Sequence, residues 1–331
     1  MSHPQGRGRD IILAVPRERM PRWRNWQTRR TQNSLGLTAP CGFDSRPRHQ
    51  LSASFVPNFG FESIRAPWRT TVLFNSTLQK GRTSTTRMIV EEVCWKNLRF
   101  VVGKRSDILH YIVDRVGNGE RLFIVTANAP ILDLFLSNEG YRECLESAHL
   151  LTVDGVGAAY LLRKEFGVKT QRYPGVEMMK DLCGIAQSRR WRVFLLGGRP
   201  GVAERAGEML KKDYPSLLIA GTMHGYFDES QNAAVADQIR LNKTDLLFVA
   251  MGVPKQEFFI RDHFGDLQVK LAVGVGGAFD VISGVKRRAP RLIRVMGLEW
   301  FYRIVLEPRK RARSFFSVVR FAIRVWKGDI T

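Results

Sequence analysis

Residues 245–257 read DLLFVAMGVPKQE, residues 271–280 read LAVGVGGAFD, and residues 284–290 read GVKRRAP. Two short apolar runs, Leu246–Ala250 and Val269–Val275, have the length of strands buried on both faces, and each ends in glycine followed by polar residues. That is the layout of a parallel sheet whose carboxyl edge carries a ligand, and it predicts an α/β fold with a Rossmann-like parallel core. At such an edge Gly252, Gly276 and Gly277 let the backbone approach a phosphate or sugar, while Gln256, Glu257 and Asp280 supply directed hydrogen bonds. One glycine turn alone is explained as well by chain reversal; two such turns, each followed by polar side chains, favour a site.

The same grammar repeats toward the N-terminus. Arg189–Leu196 reads as a strand, followed by Gly197-Gly198-Arg199-Pro200-Gly201 and a helix over Val202–Lys212, a turn suited to an anion at a helix N-terminus. The full Gly-x-Gly-x-x-Gly spacing is missing and no acidic residue ends the next strand, Leu217–Ala220, so a dinucleotide fold is disfavoured while a single phosphate or diphosphate fits. His224-Gly225-Tyr226-Phe227 places an aromatic at another strand exit, where stacking on a base or sugar competes with core packing. Further back, the strand Arg121–Val125 ends at Thr126-Ala127-Asn128-Ala129-Pro130, and the strand Ala148–Val153 ends at Asp154-Gly155-Val156-Gly157 before an Ala/Leu-rich helix. Ser106–Val116 has helical spacing with Ser106 as its N-cap. Thr126, Asn128 and Asp154 thus stand just past strand ends, where a parallel sheet brings them to one edge and one cleft.

The chain has 331 residues and a formal net charge of +21. Residues 1–87 carry about +11, residues 286–327 another +11 or so, and the segment between is near neutral. Charge confined to the ends argues against a nucleic-acid-binding fold and leaves basic appendages that suit an anionic surface. Cys41, Cys94, Cys144 and Cys183 lie far apart without a Cys-x-x-Cys pair or clustered histidines, which indicates neither a disulfide framework nor a zinc site and fits a reducing cytoplasm. No uncharged apolar run reaches the ~18 residues of a membrane span, and no signal-peptide core precedes the rest.

Residues 1–87 are rich in Arg, Pro, Ser, Thr and Gln, show no sustained period, and are not expected to fold by themselves. The piece Trp23–His49 resembles the conceptual translation of a transfer-RNA gene, with Gly42-Phe43-Asp44-Ser45 back-translating to the T-arm consensus. The expectation is a working protein that begins near Met88, the alternative an authentic disordered arm. Three parts follow: 1–87, an α/β core over 88–285, and a basic helical appendage over 286–331. In that appendage Pro290 opens a helix carrying Leu292, Ile293, Met296, Trp300 and Phe301, and a second helix follows Pro308. Arg313, Arg320, Arg324 and Lys327 form one stripe of the second helix, and Phe315, Phe316, Val319, Ile323 and Trp326 cover much of the rest. Such a helix suits the bilayer interface, with cations at lipid head groups; the alternative is a helix packed on the core or on a second copy in a homo-oligomer.

Taken together and in order, Thr126-x-Asn128, Asp154-Gly155-x-Gly157, Arg172-x-Pro174-Gly175, Leu195-Leu196-Gly197-Gly198, Gly225-Tyr226-Phe227, Met251-Gly252-x-Pro254-x-Gln256-Glu257, Gly274 to Asp280, Arg288-Ala289-Pro290 and Leu298-Glu299-Trp300 resemble the WecG/TagA/CpsF glycosyltransferases, glycosyltransferase family 26. The resemblance runs from about Ile89 to Arg313. It implies an inverting transfer of a sugar, N-acetylmannosamine, its uronate or a related hexose, from a UDP-sugar to an undecaprenyl-diphosphate-linked acceptor in surface polysaccharide assembly. It also implies a peripheral protein on the cytoplasmic face of the plasma membrane, bound through a C-terminal basic appendage, with no metal and no cofactor. The catalytic set becomes Asp154, Thr126, Asn128, Arg172 and Gln256, and the nucleotide-sugar set Gly197, Gly198, Tyr226, Gly252, Gly276, Gly277, Phe279 and Asp280. Arg303, Arg309 and Arg313 are expected on diphosphate groups, and Arg320 and Arg324 on the membrane. Two departures bear on the donor sugar: Ala127 replaces the family's usual proline, and its common aspartate after the Pro-Gly turn is replaced around Val176-Glu177.

The residues agree on separate grounds. No Asp-x-Asp pair is present to hold a divalent ion on the diphosphate, so backbone amides, helix N-termini or arginines must meet the charge of leaving UDP. Inverting displacement needs one base, and Asp154 at a strand end is the best single candidate, with capping of the next helix as its alternative role. Two competing functions are a nucleotide-dependent oxidoreductase or epimerase, which lacks its glycine fingerprint and a Tyr-x-x-x-Lys pair here, and a non-catalytic membrane-binding module.

Overall fold

Strand formation follows burial. The segments β4 (Leu122–Ala127), β5 (Leu150–Val153), β8 (Leu246–Ala250) and β9 (Leu271–Gly274), which the apolar runs announce, are buried along their whole length. The structure, a computed structural model, describes residues 68–76, 86–290, 292–293, 296, 298–306 and 308–330. All of them belong to one compact unit within Ala39–Thr331. The transfer-RNA-like piece Trp23–His49 lies outside the described residues.

In chain order, β1 (Trp68–Ser76), β2 (Thr86–Trp95) and β3 (Leu98–Gly103) form an antiparallel edge. Lys96 and Asn97, both at positive φ, make the two-residue hairpin between β2 and β3. Within the basic N-terminal stretch, β1 is thus completed by its pairing with β2, and Met88 falls inside β2. Then come α1 (Arg105–Gly117), β4, α2 (Ala129–Ser137), α3 (Glu139–Glu146), β5, α4 (Val156–Phe166), α5 (Gly175–Arg189), β6 (Arg192–Gly197), α6 (Val202–Asp213) and β7 (Leu218–Met223). The order closes with α7 (Asn232–Leu241), β8, α8 (Lys255–Leu267), β9, α9 (Ala278–Ile282), α10 (Glu299–Leu306) and α11 (Pro308–Lys327). Lys104, not Ser106, occupies the N-cap of α1. Strand β6 starts later than its apolar pattern suggests, because α5 runs on through Arg189.

The nine strands lie in the order β1-β2-β3-β5-β4-β9-β8-β6-β7, parallel from β3 onward. One face is covered by α2, α3, α4, α7, α8 and α11, through residues such as Leu132, Leu161, Phe259 and Phe321. The other is covered by α1, α5, α6 and α9, through Ile112, Met179, Ala206 and Phe279. Neighbouring strands β4 and β9 therefore send their following helices to opposite faces. Between their carboxyl ends the chain opens a crevice, the place where doubly wound sheets hold ligands.

Candidate active site

That crevice is a cleft of about 290 Å³. On its floor the buried Thr126 hydroxyl donates to the Gly274 carbonyl at 3.0 Å, tying the end of β4 to the end of β9. Asn128 is the N-cap of α2: its Oδ1 accepts the Ile131 amide at 3.3 Å, which leaves its Nδ2 as the group to offer a ligand. Past β5, the Asp154 amide donates to the Ala127 carbonyl at 2.9 Å, so Asp154 is held against the end of β4; the cap position of α4 is Gly155, one residue further on.

Arg172 arrives on the segment between α4 and α5, which is pinned across two strand ends. Gln171 donates its amide to the Gly103 carbonyl at 3.2 Å and Tyr173 to the Val153 carbonyl at 2.6 Å. The Tyr173 hydroxyl bonds Asp181 at 2.8 Å, and Arg105 grips the same carboxylate at 2.6 and 2.7 Å. Burial, with the Asp181 charge beside it, raises the Tyr173 pKa and keeps the hydroxyl a donor. Helix α5 then starts at Gly175, where an added Cβ would stand 3.3 Å from the Val275 carbonyl and 3.5 Å from the Thr126 hydroxyl, so the helix end lies close against the floor.

Thr126 and Asn128 at the exit of β4, Asp154 after β5, Arg172 ahead of α5 and Gln256 in the first turn of α8 line this one cleft with Gly276 and Gly277. The first turns of α2, α4 and α5 line it too. Their positive dipole ends make the cleft a place for anionic oxygen, although in α2 Pro130 has no N–H and the Ile131 amide is taken by Asn128. Arg288, which the sequence pattern contained without a role, lines the same wall and is paired with Glu177 of α5.

The remaining nucleotide-sugar residues lie along the carboxyl edge or beneath it. Gly197 and Gly198 end β6; an added Cβ on Gly197 would sit 2.4 Å from the Ala250 carbonyl, so close strand packing demands glycine there. Tyr226 follows β7 and is 62% exposed. Gly252 follows β8 at φ +80, ahead of a cis Val253–Pro254 bond, and its carbonyl accepts the Gln256 amide at 2.9 Å. Phe279, only 1% exposed, is a core residue between α6 and α9 and does not line the cleft. Asp280 pairs with Lys286 at 3.3 Å, outside the cleft lining.

The cleft has a second wall from the C-terminal segment: Glu299 and Trp300 of α10, part of the motif set without an assigned role, and Ser314 and Val318 of α11. Helix α11 packs on α2 and α4, with Phe321 and Val325 in the main core. Its arginine stripe is turned accordingly. Arg320 bonds both oxygens of buried Asp133 on α2, with its Nε at 2.8 and 3.0 Å, and Arg324 adds a contact at 3.4 Å. These two arginines, expected at lipid head groups, instead neutralise an internal carboxylate, because Asp133 would otherwise be buried without a countercharge. Lys164 of α4 donates to the carbonyls of Val325 and Trp326 at the end of α11. Phe316, Val319, Ile323 and Trp326 are exposed on this helix, as are Lys327 and the Arg320 side chain, which is 54% exposed. The side chains of Arg303, Arg309 and Arg313 lie outside the described residues. Among the described residues no helix is long and apolar enough to cross a membrane.

Fold and cleft together are those of an α/β protein whose cleft opens at the carboxyl edge of a parallel sheet, lined by donors suited to anionic oxygen and by two carboxylates, Asp154 and Glu299. The profile of the glycosyl transferase WecG/TagA/CpsF family matches residues 94–331. The chain belongs to that family and is a glycosyltransferase. Among its relatives is an N-acetylglucosaminyldiphosphoundecaprenol N-acetyl-beta-D-mannosaminyltransferase of Staphylococcus aureus (strain MRSA252), 36% identical over 207 residues, which is 62% of this chain and 80% of the relative. A protein of the same name from Bacillus subtilis (strain 168) is 33% identical over 220 residues, 66% of this chain and 83% of the relative.

Proposed function

We propose that the protein moves N-acetylmannosamine, its uronate or a related hexose from a UDP-sugar to a polyprenyl-diphosphate-linked acceptor, with inversion, in surface polysaccharide biosynthesis. The observation that carries this reading is the convergence of Thr126, Asn128, Asp154, Arg172 and Gln256 on one cleft ringed by helix N-termini. Asp154 takes the proton from the acceptor hydroxyl as its oxygen attacks the anomeric carbon; the bond from that carbon to the diphosphate breaks, and UDP leaves with the electron pair. Arg172 and the first turns of α2, α4 and α5 meet the charge that develops on the leaving diphosphate. Asn128 Nδ2 and the glycine loop after β9 orient the sugar beside Asp154. The nucleotide runs from there along the carboxyl edge toward Gly252, Gly198 and Tyr226 at the exits of β8, β6 and β7. Names of relatives support the N-acetylmannosamine donor and the N-acetylglucosaminyl-diphosphate lipid acceptor. Buried Ala127 and the Glu177–Arg288 pair mark where the donor pocket departs from the family pattern.

Residues 286–331 act in this reading as a peripheral membrane dock on the cytoplasmic face. The support is the outward apolar stripe Phe316, Val319, Ile323 and Trp326, continued by Phe301 and Val305 of α10, on helices that also line the cleft. A lipid-linked acceptor then reaches the base from the membrane side without the enzyme leaving the interface. The test is a transfer assay over a panel of UDP-sugars with a short-chain lipid-diphosphate N-acetylglucosamine acceptor. Turnover is expected with at least one N-acetylhexosamine or its uronate; neither binding nor turnover of any UDP-sugar would overturn the reading.

A further inference from the structure

Glu257 is the most costly side chain in the neighbourhood of the cleft that the reaction leaves unused. It has no solvent exposure, and a methionine or leucine would fill its place without burying a carboxylate. Its Oε1 accepts from Gln256 Nε2 at 2.6 Å, and Gln256 Oε1 in turn accepts the Gly276 amide at 3.1 Å. Its other oxygen and the Tyr141 hydroxyl beside it are buried and bond no other group among the described residues. Burial pushes Glu257 up to about 7, against the opposing pull of the Gln256 hydrogen bond. Gly274 leaves no slack: an added Cβ there would stand 2.9 Å from Gln256 Nε2 and 3.3 Å from Glu257 Oε1.

An amide side chain has two faces of similar shape and opposite polarity. The Gly276 N–H can only donate, so Gln256 turns its oxygen toward it and its NH2 inward, where the Glu257 Oε1 acceptor receives it. Gly276 is at φ +52 in the loop Val275–Gly277, which lines the cleft that also holds Asp154. We infer that Glu257 is a positioning residue: it sets the amide orientation of Gln256 and, through it, the place of the Gly276 loop against the reacting sugar. The inference rests on the reading of this cleft as the transfer site for its kinetic arm alone.

Two substitutions separate contact from charge. Glu257→Gln keeps an acceptor at the same reach, and Glu257→Asp keeps the carboxyl group but draws it back by one methylene. Kinetics with whichever UDP-sugar the wild type uses should show kcat down about tenfold in Glu257→Asp, a donor KM changed less than about threefold, and near-wild-type turnover in Glu257→Gln. In a Gln256→Ala background Glu257→Asp should cost nothing further, since the effect passes through Gln256. Hydrogen exchange at the Gly276 amide gives a readout without turnover: protection as in wild type for Glu257→Gln, and exchange about tenfold faster in Glu257→Asp. A fully active Glu257→Asp, an additive loss in the Gln256→Ala background, or unchanged Gly276 exchange would overturn the inference. A wild-type protein that turns over no UDP-sugar would overturn the transfer reading instead, and the exchange arm would still decide the role of Glu257.

Discussion

Thr126, Asp154 and Gln256 reach the cleft from strand ends and a helix start that backbone hydrogen bonds hold in place, whereas Glu299, Trp300, Ser314 and Val318 reach it from two helices tied on by side chains. The floor is built into the sheet: moving Asp154 means breaking its bond to Ala127 at the centre of a fully buried parallel layer. The second wall rests on Asp133 with Arg320 and Arg324, on Lys164, and on Phe321 packed near Gly157 where α2 meets α4. An added Cβ on Gly157 would stand 2.8 Å from Ala129 Cβ, so this crossing is already as tight as it can be. The floor is thus held by backbone hydrogen bonds within the sheet, and the second wall by side chains that join helix to helix, Phe321 and Val325 among them.

The largest expected effect belongs to the floor. Asp154→Asn should cut transfer by about 100-fold or more while UDP-sugar binding, read by thermal shift, stays close to wild type, because general-base help contributes on that scale. Wild-type turnover in this variant would leave Asp154 a structural residue and dissolve the contrast between the two walls.

Next comes the outer face of α11. Ile323→Ser with Trp326→Ser removes apolar surface that the membrane reading buries, since Trp326 is 75% exposed and Ile323 half exposed. Liposome flotation should weaken by about 2 kcal/mol, roughly 30-fold in partition, with activity on a detergent-solubilised acceptor little changed. Unchanged flotation would give that face another partner, a second copy of the chain being the first to examine by sedimentation.

Arg320 probes how the second wall is fastened. Asp133 is 1% exposed and Arg320 54% exposed, so the pair lies between a surface bridge and a buried one. Arg320→Ala should cost about 1–2 kcal/mol in urea unfolding, since Asp133 keeps Arg324 at 3.4 Å. Adding Asp133→Asn should return at least half of that, because the stranded charge is removed. Two substitutions that add without interaction would show that the helix is held by Phe321 and Val325 alone. Truncation near Val285 would uncover the faces of α2 and α4 that Phe321 and Val325 cover.

The contrast also explains what the sequence made legible. Buried parallel strands write themselves as unbroken apolar runs, and their exits as glycine and polar residues, so Thr126, Asn128, Asp154, Gln256 and Gly276 could be assigned to one edge from pattern alone. Arginine on an amphipathic helix carries no such signature. Arg320 faces Asp133, and Asp133 sits within ILDLFL, where a lone aspartate in an apolar helix was the available clue to an internal countercharge. Phe279 misled for a related reason: a residue beside a ligand loop and a residue that seals a helix onto the core look alike in one dimension. The β2–β3 hairpin was hidden because Lys96-Asn97 adopts left-handed conformations without the glycine that usually marks such a turn.

The smallest expected effect is none at all, and it tests the charge logic of the floor. A diphosphate leaving group needs about two negative charges met, and enzymes that use a divalent ion present acidic side chains to hold it. Here the sequence has no Asp-x-Asp pair, and among the described residues no group of three His, Cys, Asp or Glu side chains is placed to hold a metal. What the cleft offers is Arg172, Arg288 and the first turns of α2, α4 and α5, whose dipoles and N–H groups need no bound cation to attract phosphate oxygens. Transfer should therefore persist within about twofold in excess EDTA, whereas raised salt should weaken donor affinity by screening the arginines more than the buried helix ends. A loss in EDTA that Mn²⁺ or Mg²⁺ restores would move the charge from the protein's backbone to an ion, and Asp154, one of two carboxylates in that cleft with Glu299, would become a ligand rather than a base.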